Sequence, residues 1–441
     1  MGIANIIFIV LLLATGAWFT KNILRIKNNI NLGKDLDRSD NKSQRWKTMA
    51  RVALGQSKMT TRPVAAILHL IVYVGFIIIN IEVLEIVIDG ITGEHRIFAG
   101  LGGMYDFLIG SFEILAFLVL VACVIFLIRR NVIKIKRFHY KEMKAWPKND
   151  ANIILFAEVA LMTAFLLMNS ADSILQERGA AHYVEAGSFP ISQMFVPMLD
   201  GMSDSSLIGL ERALWWFHIV GIFAFLNYLP YSKHFHILLA FPNTYYSNLE
   251  KKGRFTNMEA VTNEVKMMFD PAADPYAAPP APEEGAAPER FGAKDVTDLT
   301  WKNLMDSYSC TECGRCSSAC PANQTGKLLS PRKIMMDTRD RLEEVGKSKA
   351  KNGKDFEDGK SLLGDYISEE ELWACTSCNA CVQECPINID PLSIIVEMRR
   401  YLVMEESKAP SELTSMFTNM ENNGAPWQFS PMDRLKWAEE E

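Results

Sequence analysis

Several kinds of chemistry have no footing in this 441-residue chain. It has no glycine-rich nucleotide fingerprint, no flavin motif and no hydrolytic triad, so substrate-side chemistry is expected on a partner. It has no basic surplus: 46 Lys and Arg stand against 52 Asp and Glu, a net charge of −6, which excludes an electrostatic case for a nucleic-acid partner. Its apolar stretches show neither an inverted repeat nor a pair of interrupted spans, which argues against a transporter. The first apolar run lacks a basic residue before it and a clear cleavage site, so it reads as a membrane span and not as a signal peptide. Cysteine is sparse before residue 310, where Cys123 stands alone in an apolar run and reads as inert packing.

Long apolar runs, in contrast, fill the first half. Five are long enough to cross a hydrocarbon core: about Ile3–Thr20, Pro63–Ile88, Phe107–Ile128, Ile153–Ser170 and Leu210–Pro230, with the fifth expected to continue through Leu239. The loops after the first and third runs are rich in Lys and Arg, from Lys21 to Arg62 and from Arg129 to Lys148. The other two loops are mainly acidic, with Asp89, Glu94, Glu177, Glu185, Asp200 and Asp204. Basic loops stay cytoplasmic, so the N-terminus is expected outside and the C-terminal region inside. The chain therefore divides into a membrane domain at 1–240, a cytoplasmic segment and Pro/Ala-rich linker at 241–295, a compact domain at 296–405 and a polar tail at 406–441.

Polar groups inside a membrane are costly and point to function. His69 lies near the inner end of the second run, and His236, with His234, lies at the inner end of the fifth. Two imidazoles at matching depth on antiparallel spans suit the axial positions of a b-type haem. His218 lies 18 residues before His236, five turns on a continuous helix and about 27 Å along its axis, so it cannot bind the same iron; a second haem, a quinone contact or a structural hydrogen bond are its alternatives. Glu82, Glu85, Glu113 and Glu158 either exchange protons with a quinone or pair with buried donors.

The strongest pattern comes last. Cys310, Cys313, Cys316 and Cys320 precede Pro321, and Cys375, Cys378, Cys381 and Cys385 precede Pro386. Both runs read C-x2-C-x2-C-x3-C-P, the spacing of two-cluster ferredoxins, in which the fourth cysteine of each run serves the other [4Fe–4S] cluster. One cluster is thus expected on Cys310, Cys313, Cys316 and Cys385, the other on Cys375, Cys378, Cys381 and Cys320. Structural zinc needs only four ligands and does not account for eight thiols in this pattern. The 54 residues between the runs include a helix-like stretch at Pro331–Val345, and Pro391–Met404 looks like another helix. The fold class is therefore all-α: a five-helix transmembrane bundle followed by an α-helical ferredoxin domain.

The segment Trp215–His236, WWFHIVGIFAFLNYLPYSKHFH, resembles the fifth helix of the respiratory nitrate reductase gamma subunit. That family takes two haem ligands from this helix, matched by His218 and His236, and two from its second helix. His69 matches one of these, and Ile79 stands where the other should be. The resemblance implies one haem b at the inner site and leaves the outer one open. From about residue 60 to 405 the chain is similar to heterodisulfide reductase-related Fe–S-binding membrane proteins, which move electrons between a membrane quinone and a soluble redox partner. Many relatives continue into CCG modules. This chain has no Cys-Cys pair, so a CCG-domain or flavin protein is expected as a separate cytoplasmic subunit. The alternative is a redox sensor or anchor without steady electron flow.

Overall fold

The computed structural model describes residues 2–270 and 290–439 and is helical throughout, with only two isolated bridges among the described residues. Of the linker expected at Asp270–Asp295, residues 271–289 lie outside the described residues. The chain forms two compact units: Met1–Asn29, Asn41–Ser247 and Tyr308–Arg315 make the first, and Ile30–Asp40, Asn248–Ser307 and Cys316–Glu441 the second.

Five helices of the first unit are long and apolar enough to span a membrane: Ile3–Ile30, Pro63–Thr92, Gly103–Asn131, Trp146–Glu177 and Asp204–Tyr231. Their termini follow local chemistry. Pro63 opens the second span at a position where a missing N–H costs nothing. Gly93, at φ +86°, closes it in the left-handed conformation, its N–H bonded to the Asp89 carbonyl. Ser203 caps the fifth span by accepting from the Ser206 N–H. The spans pack around Phe8, Ile79, Phe112, Phe165, Trp215 and Ile219, while Ile6, Ile7, Val10, Leu13 and Trp18 of the first span face outward, as lipid permits. Gly90 lets the first two spans approach closely, since a Cβ there would meet the Phe8 ring at 2.7 Å.

The fifth span differs from expectation. Its helix tightens at Leu229–Tyr231 around Pro230, and Ser232 is extended (φ −118°, ψ 153°) before a new helix runs from His236 to Tyr245. Pro230 offers no N–H to continue the ladder. His218 and His236 are thus on separate helices, and the five-turn phase relation between them does not hold.

In the second unit the helices Pro331–Asn352 and Pro391–Met404 bury Ile334, Met335, Leu342, Ile394, Ile395 and Met398. Ser330 and Asp390 cap them, and Ser368 with Glu371 forms a capping box on Glu369–Trp373. Arg341 ties three segments together. Its side chain, 3% exposed, pairs with Asp295 at 2.7 Å and Asp358 at 2.6 Å and donates to the Lys360 carbonyl. The Arg341 hydrogen bond holds the Asp358 carboxyl down at about 2. A depressed carboxyl stabilises the fold fully above its unfolded pKa, about 3.9, and loses that contribution as pH falls towards 2. Arg341→Met should cost on the order of 3 kcal/mol, because it leaves two carboxylates unpaired. It should also blunt the acid dependence between about pH 4 and 2. Hydrogen exchange of the Pro331–Asn352 amides across that range checks both.

Candidate redox centres

The two cysteine runs fold alike. The residue before the second cysteine is left-handed in both, Glu312 at φ 52° and Ser377 at φ 55°, and so is the residue after it, Gly314 at φ 70° and Asn379 at φ 59°. Non-glycine residues seldom adopt this conformation, and its repetition at matching positions marks a backbone shaped around its thiols. A five-residue helix follows each time, Arg315–Ala319 and Ala380–Glu384. The fourth cysteine is then extended, Cys320 at φ −71°, ψ 121° and Cys385 at φ −68°, ψ 123°. A following proline disfavours helix at that residue. Cys310, Cys320, Cys381 and Cys385 are buried, Cys313, Cys316 and Cys375 partly so, and Cys378 is exposed.

Within the second unit the fourth cysteine of the first run lies within electrostatic reach of the second run. Burial raises the Cys375 and Cys381 thiols above their ordinary range, and Cys320 lies close enough to both for its charge to add to the rise. The Ser377 N–H donates to the Cys375 sulfur at 3.4 Å, and the Ile389 N–H to the Cys385 sulfur at 3.3 Å. Arg399 donates to the carbonyls of Leu372 and Cys375 and stacks on Trp373, its cation 5.0 Å from the ring centre. Such hydrogen bonds and charges are what tune a cluster's potential.

Two imidazoles meet in the first unit. The rings of His69 and His236 lie 6.3 Å apart, centre to centre. Two metal–nitrogen bonds of about 2 Å, plus about 1 Å from each nitrogen to its ring centre, require about 6 Å. The Nδ1 of His236 donates to the Lys233 carbonyl, and the Nδ1 of His69 to Gln56 Oε1, each at 3.0 Å. Each Nδ1 proton is therefore committed, which leaves Nε2 as the acceptor nitrogen of each ring. His234 packs against Phe225 and His236. His218 is buried elsewhere, its Nδ1 bonded to the Leu161 carbonyl and its ring 5.8 Å from Phe165.

The segment Tyr308–Arg315, which carries Cys310 and Cys313, packs in this same unit. Glu312 forms an ion pair with Lys233, whose carbonyl orients His236. Arg315 donates to the Lys58 carbonyl and to Met59, two and three residues from the Gln56 that orients His69. Asp150 receives the Lys233 N–H at 3.0 Å and the Tyr228 hydroxyl, and Asn29 donates to Tyr308. Gln56 follows a wide helical turn at Ala50–Leu54 and is itself left-handed, at φ 46°. None of Gln56, Lys233, Glu312 or Arg315 was signalled by residue type. Lys233 lies inside the Trp215–His236 segment and Glu312 and Arg315 inside the first cysteine run, whereas Gln56 lies 13 residues before His69.

The acidic residues divide. Glu113 accepts from Asn169 and from the Ile191 and Ser192 N–H groups, and Glu85 from Tyr105 and the Phe98 N–H, so both are partners of buried donors. Glu82 is 3% exposed, and its Oε2 has no hydrogen-bond partner among the described residues.

Residues 306–389 match the family of 4Fe-4S dicluster domains. The chain is 29% identical to the probable iron-sulfur-binding oxidoreductase FadF of Bacillus subtilis, over 88% of this chain and 54% of that protein. It is 27% identical to the EtfAB:quinone oxidoreductase of Syntrophomonas wolfei, over 92% of this chain and 55% of the relative. It is 34% identical to one component of the ferredoxin/F(420)H(2)-dependent CoB-CoM heterodisulfide reductase of Methanosarcina acetivorans, over 27% of this chain and 60% of that component. The chain thus spans about half the length of the first two relatives. No solved structure matches it. Its homologues are iron–sulfur oxidoreductases and heterodisulfide reductase subunits, and its C-terminal half carries the dicluster domain.

Proposed function

We propose that this chain is the electron-transfer subunit of a membrane quinone-linked oxidoreductase. Cys310, Cys313, Cys316 and Cys385 would hold one [4Fe–4S] cluster and Cys375, Cys378, Cys381 and Cys320 the other. His69 and His236 would be the axial ligands of one b-type haem. When bound, these groups supply one-electron carriers; the protein's part is to hold them in register and set their potentials.

One observation carries the reading. The loop bearing Cys310 and Cys313 is fastened through Glu312 and Arg315 to the two stretches that orient His236 and His69. A loop carrying cluster cysteines and a pair of imidazoles supported by the same or neighbouring residues would give a continuous path, which a passive anchor does not need. The relatives' printed names add a quinone and a multi-subunit setting to the same picture. The Lys and Arg asymmetry supports a topology with the cysteine runs on the cytoplasmic side and the N-terminus outside. A cytoplasmic subunit, a CCG-domain or flavin protein, completes the complex.

Dithionite-reduced protein mixed with a soluble quinone analogue is expected to lose its reduced haem and cluster spectra together, turnover after turnover. Reduced spectra that persist in the presence of the quinone would leave only the sensor reading. Reporter fusions after Lys47 and after Asp295 should both read cytoplasmic, and an external signal at either would reverse the topology.

A further inference from the structure

A second site lies away from the two histidines. A cavity of about 220 Å³ is lined by side chains that include Phe8, Glu82, His95, Asp172, Trp215 and Trp216. Glu82 is 13 residues beyond His69 on the same helix, about 20 Å along its axis. One wall is aromatic: Phe8 lies 5.7 Å from Trp215 and 6.2 Å from Trp216, and the two indoles are 5.2 Å apart.

The polar side is largely satisfied from within. Arg96 pairs with Asp172 at 2.6 Å and donates to Asn169 and Tyr105, and Tyr105 donates to Glu85. His95 Nε2 lies 3.2 Å from Asp172 Oδ1. Among the described residues two lining carboxylate oxygens accept no hydrogen bond, Asp172 Oδ1 and Glu82 Oε2. Asp172 is ion-paired with Arg96, whereas the buried Glu82 offers its Oε2 to the cavity. A buried acceptor left unmade is unfavourable, so what the cavity offers an incoming molecule is an acceptor beside two indoles set nearly perpendicular, at 80°. The volume falls below the roughly 300–1,000 Å³ of sites that enclose a whole drug-sized ligand. It suits a single ring system whose tail remains outside.

We propose that this cavity binds the ring of a quinol, a ring hydroxyl donating to Glu82 Oε2 and the ring face lying against Trp216, with Trp215 meeting the ring edge. The oxidised quinone has no hydroxyl to donate and should bind less well. The assignment rests on the quinone-linked reading above. Binding is separable from turnover, because the cavity and the His69–His236 pair lie about 20 Å apart along the helix.

Anaerobic calorimetry of the detergent-purified protein with menadiol and with menadione tests this. Wild type should bind menadiol at least about tenfold more tightly than menadione. Glu82→Gln, which keeps the side chain's shape, should weaken menadiol at least about tenfold and remove most of the preference. Trp216→Ala should weaken both probes by a similar factor, and both variants should keep the wild-type visible spectrum. Menadiol that binds both variants as it binds wild type would overturn the cavity assignment and leave the quinone-linked reading standing. If neither probe binds wild type, while the redox centres are intact, both fall.

Discussion

His69→Ala and His236→Ala are each expected to abolish the reduced α-band of the purified protein, and His218→Ala to leave it in place. The rings of His69 and His236 stand 6.3 Å apart, close to the roughly 6 Å that two imidazole–metal bonds would span. Their bonds to Gln56 and Lys233 commit each Nδ1 proton and present Nε2. His218 has a committed Nδ1 as well, but the ring beside it is Phe165. The supporting residues should show a smaller effect of the same sign. Gln56→Leu keeps both imidazoles and should weaken haem retention about 10- to 100-fold, the usual cost of losing an outer-shell partner. One haem per chain by pyridine haemochrome assay is the expected count. Loss of half the haem in His218→Ala would mean a second site, with a ligand other than Ile79.

The second large effect concerns the crossed cysteines. Cys320→Ser should eliminate the EPR signal of the cluster on Cys375, Cys378 and Cys381 while sparing more of the other; Cys385→Ser should do the reverse. The charge effect of Cys320 on Cys375 and Cys381 motivates the first half. The matching extended geometry of Cys320 and Cys385 motivates the second. Wild type should carry about eight iron and eight sulfide per chain. Should Cys320→Ser instead extinguish the Cys310 group first, the fourth cysteines serve their own runs and the crossed assignment is wrong.

The amino-acid sequence by itself determined the five spans and the helical class. Eighteen or more consecutive apolar residues have one way to satisfy their backbone in lipid, and that requirement is local. It also determined the cysteine runs, because a cubane imposes a fixed spacing on its ligands and a following proline fixes the backbone of the fourth. His69 and His236 could be selected by depth alone. Tertiary structure decided the rest. Pro230 lies in a run apolar enough to be read as continuous helix, yet it and the extended Ser232 end the fifth span and set the direction in which His236 enters. Lys233, Glu312 and Arg315 look like ordinary solvated charges in sequence. Their roles depend on a loop more than 70 residues further along folding back onto the bundle end, which no periodicity encodes. Glu82, Glu85 and Glu113 are one residue type on two neighbouring spans. Only the partners brought by distant segments separate the two that are satisfied from the one whose Oε2 accepts no hydrogen bond. Local spacing specifies what a segment can hold; the free energy of a buried charge depends on what else is buried beside it.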